Sequence, residues 1–303
     1  MTIRSCLLAC YAFGITVGCG SSESEPAGGT AATTTTTATA TGGGGSTGAG
    51  GGTAGAGQGG LADGRYLDEI FADVDVQKDL AYGQAGGDAL LLDLYQPAGD
   101  TDPARAAIVW IHGGGFIGGN KVDPHLVELS TRFAKRGYVT VSIEYRLLGA
   151  NVTGIQAAEA DARAAVRWLR KNAATYRIDE ARIAIGGSSA GAITSLFVAY
   201  DELEGDSGNP GLSSDVSAVV DLWGALYDET VMEAGEAPVI IIHGTADTTV
   251  PYSETTELVA RAEAVGVTYE LHPLPGKAHA PWGEIDQYIA WSAPFLYQHV
   301  IVP

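Results

Sequence analysis

Position 189 carries a serine set between two glycines, Gly187-x-Ser189-x-Gly191. The apolar run Ile183-Ala184-Ile185 comes before it, and the helix-like run Ala192 to Ala199 follows. A serine so placed sits on a sharp strand-to-helix turn, which leaves room only for small neighbours. Its hydroxyl is then exposed above the sheet. The backbone N–H groups at the start of the helix face any anion that develops beside it. The chemistry on offer is nucleophilic attack on a carbonyl. A glycine/serine loop in a nucleotide-binding sheet would read the same way over five residues. The groups a serine needs in order to react decide between the two.

Those groups are oxyanion donors, a base and an acid. His112-Gly113-Gly114-Gly115-Phe116 follows the apolar run Ala106 to Ile111. Three glycines let backbone approach a ligand and aim N–H groups at it, so Gly114, Gly115 and Ala190 are the candidate oxyanion donors. Gly113 is read as the residue that orients the loop and His112 as a structural pin. A phosphate loop is the alternative, but no Lys-Ser/Thr follows as that motif requires. His243-Gly244-Thr245-Ala246-Asp247 follows another apolar run, Val239 to Ile242. Asp247 lies in a turn past a strand end, where a carboxylate can reach a histidine; Asp221, at the preceding strand end, is its rival. His243 is expected to be buried and structural. His279, in a loop after the last strand, is the candidate base, preferred over His272 beside Pro273. His125 and His299 fall in helical runs and are expected to face solvent. Phe116, Trp223 and Trp282, with Tyr227, lie near these segments and are the candidates to line a substrate pocket. The order along the chain is nucleophile Ser189, acid Asp247, base His279, as expected for a serine on such an elbow.

The elements that must position these groups alternate. Val76–Tyr82 and Asp88–Tyr95 read as strands of a hairpin joined by the Gly83–Gly87 stretch. Ala106–Ile111, Tyr138–Ile143, Arg182–Ile185, Val216–Leu222, Val239–Ile242 and Thr268–Leu271 read as further strands. Several are continuous apolar runs, as in strands buried on both faces. Helices are expected over 124–136, 157–176, 192–199, 255–265 and 284–300. In 157–176, Ala162, Ala165, Val166 and Leu169 fall on one face and Arg163, Arg167, Arg170 and Lys171 elsewhere. This alternation implies an α/β fold with one mostly parallel central sheet, helices on both faces, and active groups at the carboxyl ends of the strands.

Composition bounds the rest. Met1 to Gly20 has a short basic start, an apolar stretch from Leu7 to Val17, and Gly18-Cys19-Gly20. Residues 1–19 read as a secretory signal, too short in its apolar part to span a bilayer. Residues 20–60 are Gly, Thr, Ala and Ser with almost no large apolar side chain, and read as a disordered tether. Residues 61–303 form the domain. All three cysteines, Cys6, Cys10 and Cys19, precede it, so no disulfide is expected in it. The net charge of −19 argues against nucleic acid or an anionic membrane as a direct partner. No clustered metal-ligand spacing or cofactor motif is present, so neither metal nor cofactor is expected.

Four motifs in order, His112-Gly-Gly-Gly, the Ser189 elbow, His243-Gly-Thr-Ala-Asp247 and Gly276-x-x-His279, resemble the α/β-hydrolase superfamily. Within it they resemble carboxylesterases with a His-Gly-Gly-Gly oxyanion motif, the acetyl esterase and feruloyl/acetylxylan esterase group. Glu144-Tyr145-Arg146-Leu147 and Asp161 to Leu169 resemble the same group, so the likeness covers roughly 76–300. It implies a serine ester hydrolase working through an acyl-enzyme on short-acyl or sugar/aryl esters. A prolyl-oligopeptidase-like peptidase and a non-catalytic binding protein on the same scaffold are the alternatives. The residues before Val76 are too few and too polar for a helical cap, and 222–238 leaves no room for a large lid, so an open site is expected. The small residue before Cys19 resembles a bacterial lipoprotein signal, although Thr16 stands where Leu is usual. That resemblance implies lipidation at Cys19 and an exported protein, anchored at an outer membrane, periplasmic or extracellular, that meets a membrane only through the lipid.

Overall fold

The computed structural model describes residues 64–303. The signal at 1–19 with Cys19, the tether at 20–60 and residues 61–63 lie outside the described residues.

Eight strands form one sheet in the order β1-β2-β4-β3-β5-β6-β7-β8. They are β1 (Val74–Ala85), β2 (Asp88–Pro97), β3 (Arg105–Ile111), β4 (Val139–Ile143), β5 (Ile178–Ser188), β6 (Val219–Leu222), β7 (Val239–Gly244) and β8 (Tyr269–Leu274). β1 pairs antiparallel with β2, and β2 antiparallel with β4; every later pairing is parallel. The hairpin connection is tighter than the glycine stretch suggests. Gly86 and Gly87, at φ +62° and +96°, make the turn alone, and β1 runs on through Gly83 to Ala85 opposite Asp88. A two-residue turn with positive φ at both positions matches the strand twist, so nothing longer is needed.

Helices cover both faces. α1 (Pro124–Ala134) and α6 (Ile285–Leu296) contribute Leu126, Phe133, Tyr288 and Leu296 to one core layer, together with Ile108 and Trp110 of β3. α2 (Val152–Lys171), α4 (Ala190–Tyr200) and α5 (Tyr252–Val265) contribute Ile155, Val166, Ile193 and Leu258 to the other, together with Ala107, Val109 and Ile111. Alternate residues of β3 thus feed opposite layers, and the apolar run Ala106 to Ile111 is buried throughout.

Helix ends differ from the sequence expectation for local reasons. α2 starts at Val152 because the Asn151 side chain accepts the Gly154 N–H at 3.1 Å, and it ends at Lys171 before the short α3 (Ala173–Tyr176). α5 starts at Tyr252, directly after Pro251, and stops at Gly266, φ +79°. The closing helical run is three pieces: a 3₁₀ turn at Trp282–Glu284, α6, and a π turn at Tyr297–Ile301. Arg163 and Arg167 of α2 are buried rather than solvated. Arg163 donates to the Phe197 carbonyl and pairs with Glu159, while Arg167 donates to the carbonyls of Glu204 and Gly208. The irregular segment after α4 wraps over them.

Candidate active site

The site is built where β3, β5, β6 and β7 end. Ser189 follows β5 with φ 52° and ψ −118°, a conformation that costs energy for any residue with a side chain. Its N–H donates to the Leu222 carbonyl at the end of β6 (2.9 Å), which ties the turn to the neighbouring strand. A Cβ on Gly187 would lie 2.5 Å from the Ile111 carbonyl oxygen, and one on Gly191 2.0 Å from the same atom. Both glycines are therefore demanded by backbone contact with β3.

The β7 turn and the His279 loop are knitted together. Ala246 N–H donates to the Lys277 carbonyl (2.9 Å), and Gly276 N–H donates to the Thr245 hydroxyl (2.9 Å). This brings the Asp247 Oδ2 within 2.6 Å of His279 Nδ1, and His279 Nε2 within 2.9 Å of the Ser189 hydroxyl. The other carboxylate oxygen of Asp247 accepts the N–H groups of Thr249 (2.8 Å) and Val250 (3.1 Å). Both oxygens of Asp247 therefore have hydrogen-bond partners, which fixes the carboxylate's orientation. Since Asp247 accepts from Nδ1–H, His279 Nε2 is left as an acceptor for the serine proton. Ala280, which follows His279, has φ 55°, a second strained position beside the reacting groups.

Ser189 and His279 border a cavity of about 400 Å³. Gly113, Gly114, Gly115 and Ala190 line it, as do Phe116, Trp223, Tyr227 and Trp282. Among the described residues, the N–H groups of Gly114 and Gly115 donate to no protein acceptor, and Ala190 opens α4. These free donors and a helix start border the same space as the serine hydroxyl. Trp223 is fully buried, at φ 49°, with the edge-on Trp282 ring 4.8 Å away. Trp282 is half-buried at the mouth.

The remaining histidines divide. His112 is buried, stacks on Tyr145 at 4.3 Å and bonds the Gly113 carbonyl at 2.6 Å. Burial pushes it below its ordinary value, so the ring is neutral. The Tyr145 hydroxyl donates to the His112 carbonyl at 3.1 Å, which gives the Glu144-Tyr145-Arg146 motif a physical role. Arg146 pairs with the buried Asp161. His272 lies inside β8 rather than at its end, bonded to Glu270 and stacked on Trp291 at 4.1 Å. His125 and His299 are not simply solvent-facing: His125 stacks flat on Trp282 at 4.3 Å, and His299 packs on Phe295 at 4.6 Å. Phe295 is the residue four positions before His299 on the same helical run, whereas the Trp282 partner of His125 comes from distant chain and is not revealed by helical periodicity. Asp221, the rival acid, accepts from Gly224 N–H and makes no contact with His279. Ile155, Ile193, Ala150 and Val250 also line the cavity. Their apolar character is indistinguishable from core in the sequence.

As for metals, Glu229, Glu254 and Glu257 bring carboxylate oxygens within 4.8 Å of one another, and none of the three lines the cavity.

The fold is matched in solved structures. Esterase 2 of the planctomycete Thermogutta terrifontis superposes with a TM-score of 0.63 at 25% identity, over 74% of this chain and 92% of that one. The chain has the α/β-hydrolase fold. Another structure of that esterase, phosphorylated by paraoxon, matches with the same TM-score at 26% identity, over 75% of this chain and 95% of that one. Family models match in two stretches of this chain: one described as BD-FAE over residues 92–230, and the prolyl oligopeptidase family over 224–296. Among curated proteins, Cholinesterase 1 of Branchiostoma lanceolatum is 30% identical over 169 residues, 53% of this chain and 46% of that protein. Esterase LipI of Mycobacterium tuberculosis is 30% identical over 159 residues, 50% of this chain and 47% of that protein. The chain thus spans about half the length of these curated relatives.

Proposed function

We propose that this hydrolase is a serine carboxylesterase that works through an acyl-enzyme. The observation that carries the reading is the hydrogen-bonded line Ser189–His279–Asp247 at the wall of a cavity bordered by free N–H donors. His279 takes the Ser189 proton as the hydroxyl oxygen attacks the ester carbonyl, and Asp247 holds the ring and stabilises its charged form. Gly114, Gly115 and Ala190 hold the oxyanion; one such donor typically contributes about 3 kcal/mol to lowering the barrier. The tetrahedral species collapses with loss of the alcohol, which takes its proton from His279. Water then attacks the acyl-serine by the same route and releases the acid.

The cavity of about 400 Å³, with Phe116, Trp223 and Trp282 on its walls, suits a short acyl group or a sugar or aryl ester. The His112-Gly-Gly-Gly segment supports the acetyl and feruloyl/acetylxylan esterase subgroup. A p-nitrophenyl ester series from acetate to palmitate tests this. Highest turnover on acetate and butyrate, lost in a folded Ser189→Ala variant, is expected. Wild-type rates in that variant would overturn the assignment of the nucleophile. The match to the prolyl oligopeptidase family over 224–296 favours a second reading, a serine peptidase. Cleavage of a prolyl p-nitroanilide with no ester turnover would select it, and a site inert to both would mark a binding protein.

The composition of residues 1–60 supports an exported protein in which 1–19 direct secretion, Cys19 carries lipid and 20–60 tether the catalytic domain at 61–303. Metabolic labelling with an alkynyl fatty acid should mark the wild type and not Cys19→Ser. Equal labelling of both would contradict the anchor.

A further inference from the structure

His243 has partners that fix its protonation state. It is fully buried at the end of β7. Its Nε2 lies 3.1 Å from Asp247 Oδ2 and 3.0 Å from the Val250 carbonyl, and both of these groups only accept. Nε2 therefore carries the proton. Nδ1 lies 2.7 Å from the Thr255 hydroxyl on α5. Burial pushes the imidazole below its ordinary value, so the ring is neutral and Nδ1 accepts the Thr255 proton. The oxygen of Asp247 that meets His243 is the one that meets His279.

We infer that His243, set by Thr255, is a positioning residue that donates to the Asp247 oxygen shared with His279 and so sets the pH at which the base becomes active. The inference rests on the proposed roles of Ser189, His279 and Asp247. Its physical content is a competition for charge. A donor on Oδ2 withdraws negative charge from the atom that stabilises the imidazolium of His279. Removal of that donor makes the imidazolium more stable, so the base must be deprotonated at higher pH. It also leaves Oδ2 with one holder instead of two, which loosens the ring and lowers kcat more than KM.

Other groups face this site and must be kept apart from it. From α5 comes Tyr252, whose ring lies edge-on to His243 at 5.7 Å, and beside Thr255 on the same helix stands Glu254, which burial pushes up to about 7 with Glu257 and Glu229 as its charged neighbours. From the segment after β6 comes Tyr227, pushed up to about 12 by burial with help from Glu254 and Asp247. Ser189 faces from the elbow. Glu254 is itself pushed up to about 7, so Glu254→Gln is the background in which the limb is read.

The test is the pH profile of kcat/KM for p-nitrophenyl acetate in the full chain. His243→Leu should raise the midpoint of the acidic limb by about one pH unit and lower kcat at least tenfold. His243→Gln, whose amide nitrogen reaches the place of Nε2, should return the limb to the wild-type position. Thr255→Val should give a smaller upward shift, because a ring without the Thr255 proton is a weaker donor. A limb that stays at the wild-type pH in every folded variant, or that moves equally in the Gln and Leu variants, overturns the inference and leaves His243 a core residue. Should the Leu variant fail to fold, ¹⁵N NMR of the wild type decides. A neutral Nε2–H tautomer from pH 5 to 9 supports the inference, and an Nδ1–H tautomer or a titrating ring overturns it. An active Ser189→Ala would instead overturn the underlying assignment, which the limb positions alone do not touch.

Discussion

Two aspartates at the ends of adjacent parallel strands are both buried and differ in everything else. Asp221 ends β6, and its Oδ1 accepts one N–H, from Gly224 at 2.7 Å. Among the described residues its Oδ2 has no partner, and burial pushes the group up to about 7. Asp247 stands in the turn after β7 and accepts from Thr249, Val250, His243 and His279. The difference lies in the backbone. On a strand the neighbouring N–H groups are already committed: Trp223 donates to Ile242 and Ser189 to Leu222. A turn leaves successive N–H groups free to converge on one carboxylate. Of the two settings, only the second gives both oxygens of a buried carboxylate a donor beside a histidine.

The comparison breaks most visibly at Asp247. Asp247→Asn keeps the shape but presents an NH₂ or a neutral oxygen to His279, so kcat on p-nitrophenyl acetate should fall about ten-thousand-fold. A fall of less than tenfold would place the acid elsewhere, with Asp221 the next candidate.

A subtler break leaves both aspartates intact. A Cβ on Gly244 would lie 2.3 Å from the Lys277 carbonyl oxygen and 2.7 Å from that of Ala278. Both belong to the backbone of the loop that carries His279, so Gly244→Ala must displace the loop. A misplacement of this kind should cost about a hundredfold in kcat with a folded protein and little change in KM. Unchanged kcat would show that the base does not depend on this contact.

The smallest effect sharpens the other side. Asp221→Asn should leave turnover within about threefold, since surrounding groups treat the acid as neutral. Its signature is in stability. The native value is raised from 3.8 to about 7, so the native state binds the proton more tightly than the unfolded chain. That contribution is full below about pH 4 and is lost as pH rises through 7. Measured by urea unfolding, the variant should therefore gain on the wild type between pH 4 and 7, by at most about 1.4 kcal/mol per pH unit. Glu159 and Glu254 are also pushed up to about 7, so only the difference between the two proteins isolates Asp221. A pH-independent difference would mean that Asp221 is ionised in the fold.

Much of this was legible in the residues. The strands of the parallel sheet announce themselves because a strand buried on both faces must be apolar throughout, as in Ala106 to Ile111. The elbow is legible because Gly187 and Gly191 touch the β3 backbone and admit nothing larger. Ser189, Asp247 and His279 each stand in a turn or loop after a strand, where a structural polar residue is common, and it is their order along the chain that makes them legible. Less legible were features made by distant chain. Arg163 and Arg167 look solvated on a helical wheel, and α4 with the segment after it covers them. His125 finds an aromatic partner, Trp282, that its own periodicity does not name. Thr255 reads as an unremarkable helix start, and its bond to His243 exists only because α5 packs back on β7. The cavity walls at Ile155 and Ile193 look like core because a pocket wall and a core are built from the same side chains.

The central claim is that Ser189 is the nucleophile, and covalent capture tests it most directly. The esterase of Thermogutta terrifontis is found phosphorylated by paraoxon. Treatment of this protein with paraoxon, followed by intact mass and peptide mapping, should show one diethylphosphoryl group on Ser189, with loss of p-nitrophenyl acetate turnover in proportion and no adduct on Ser189→Ala. An adduct on another residue, or an unmodified Ser189 in a protein that still turns over the ester, would contradict the account.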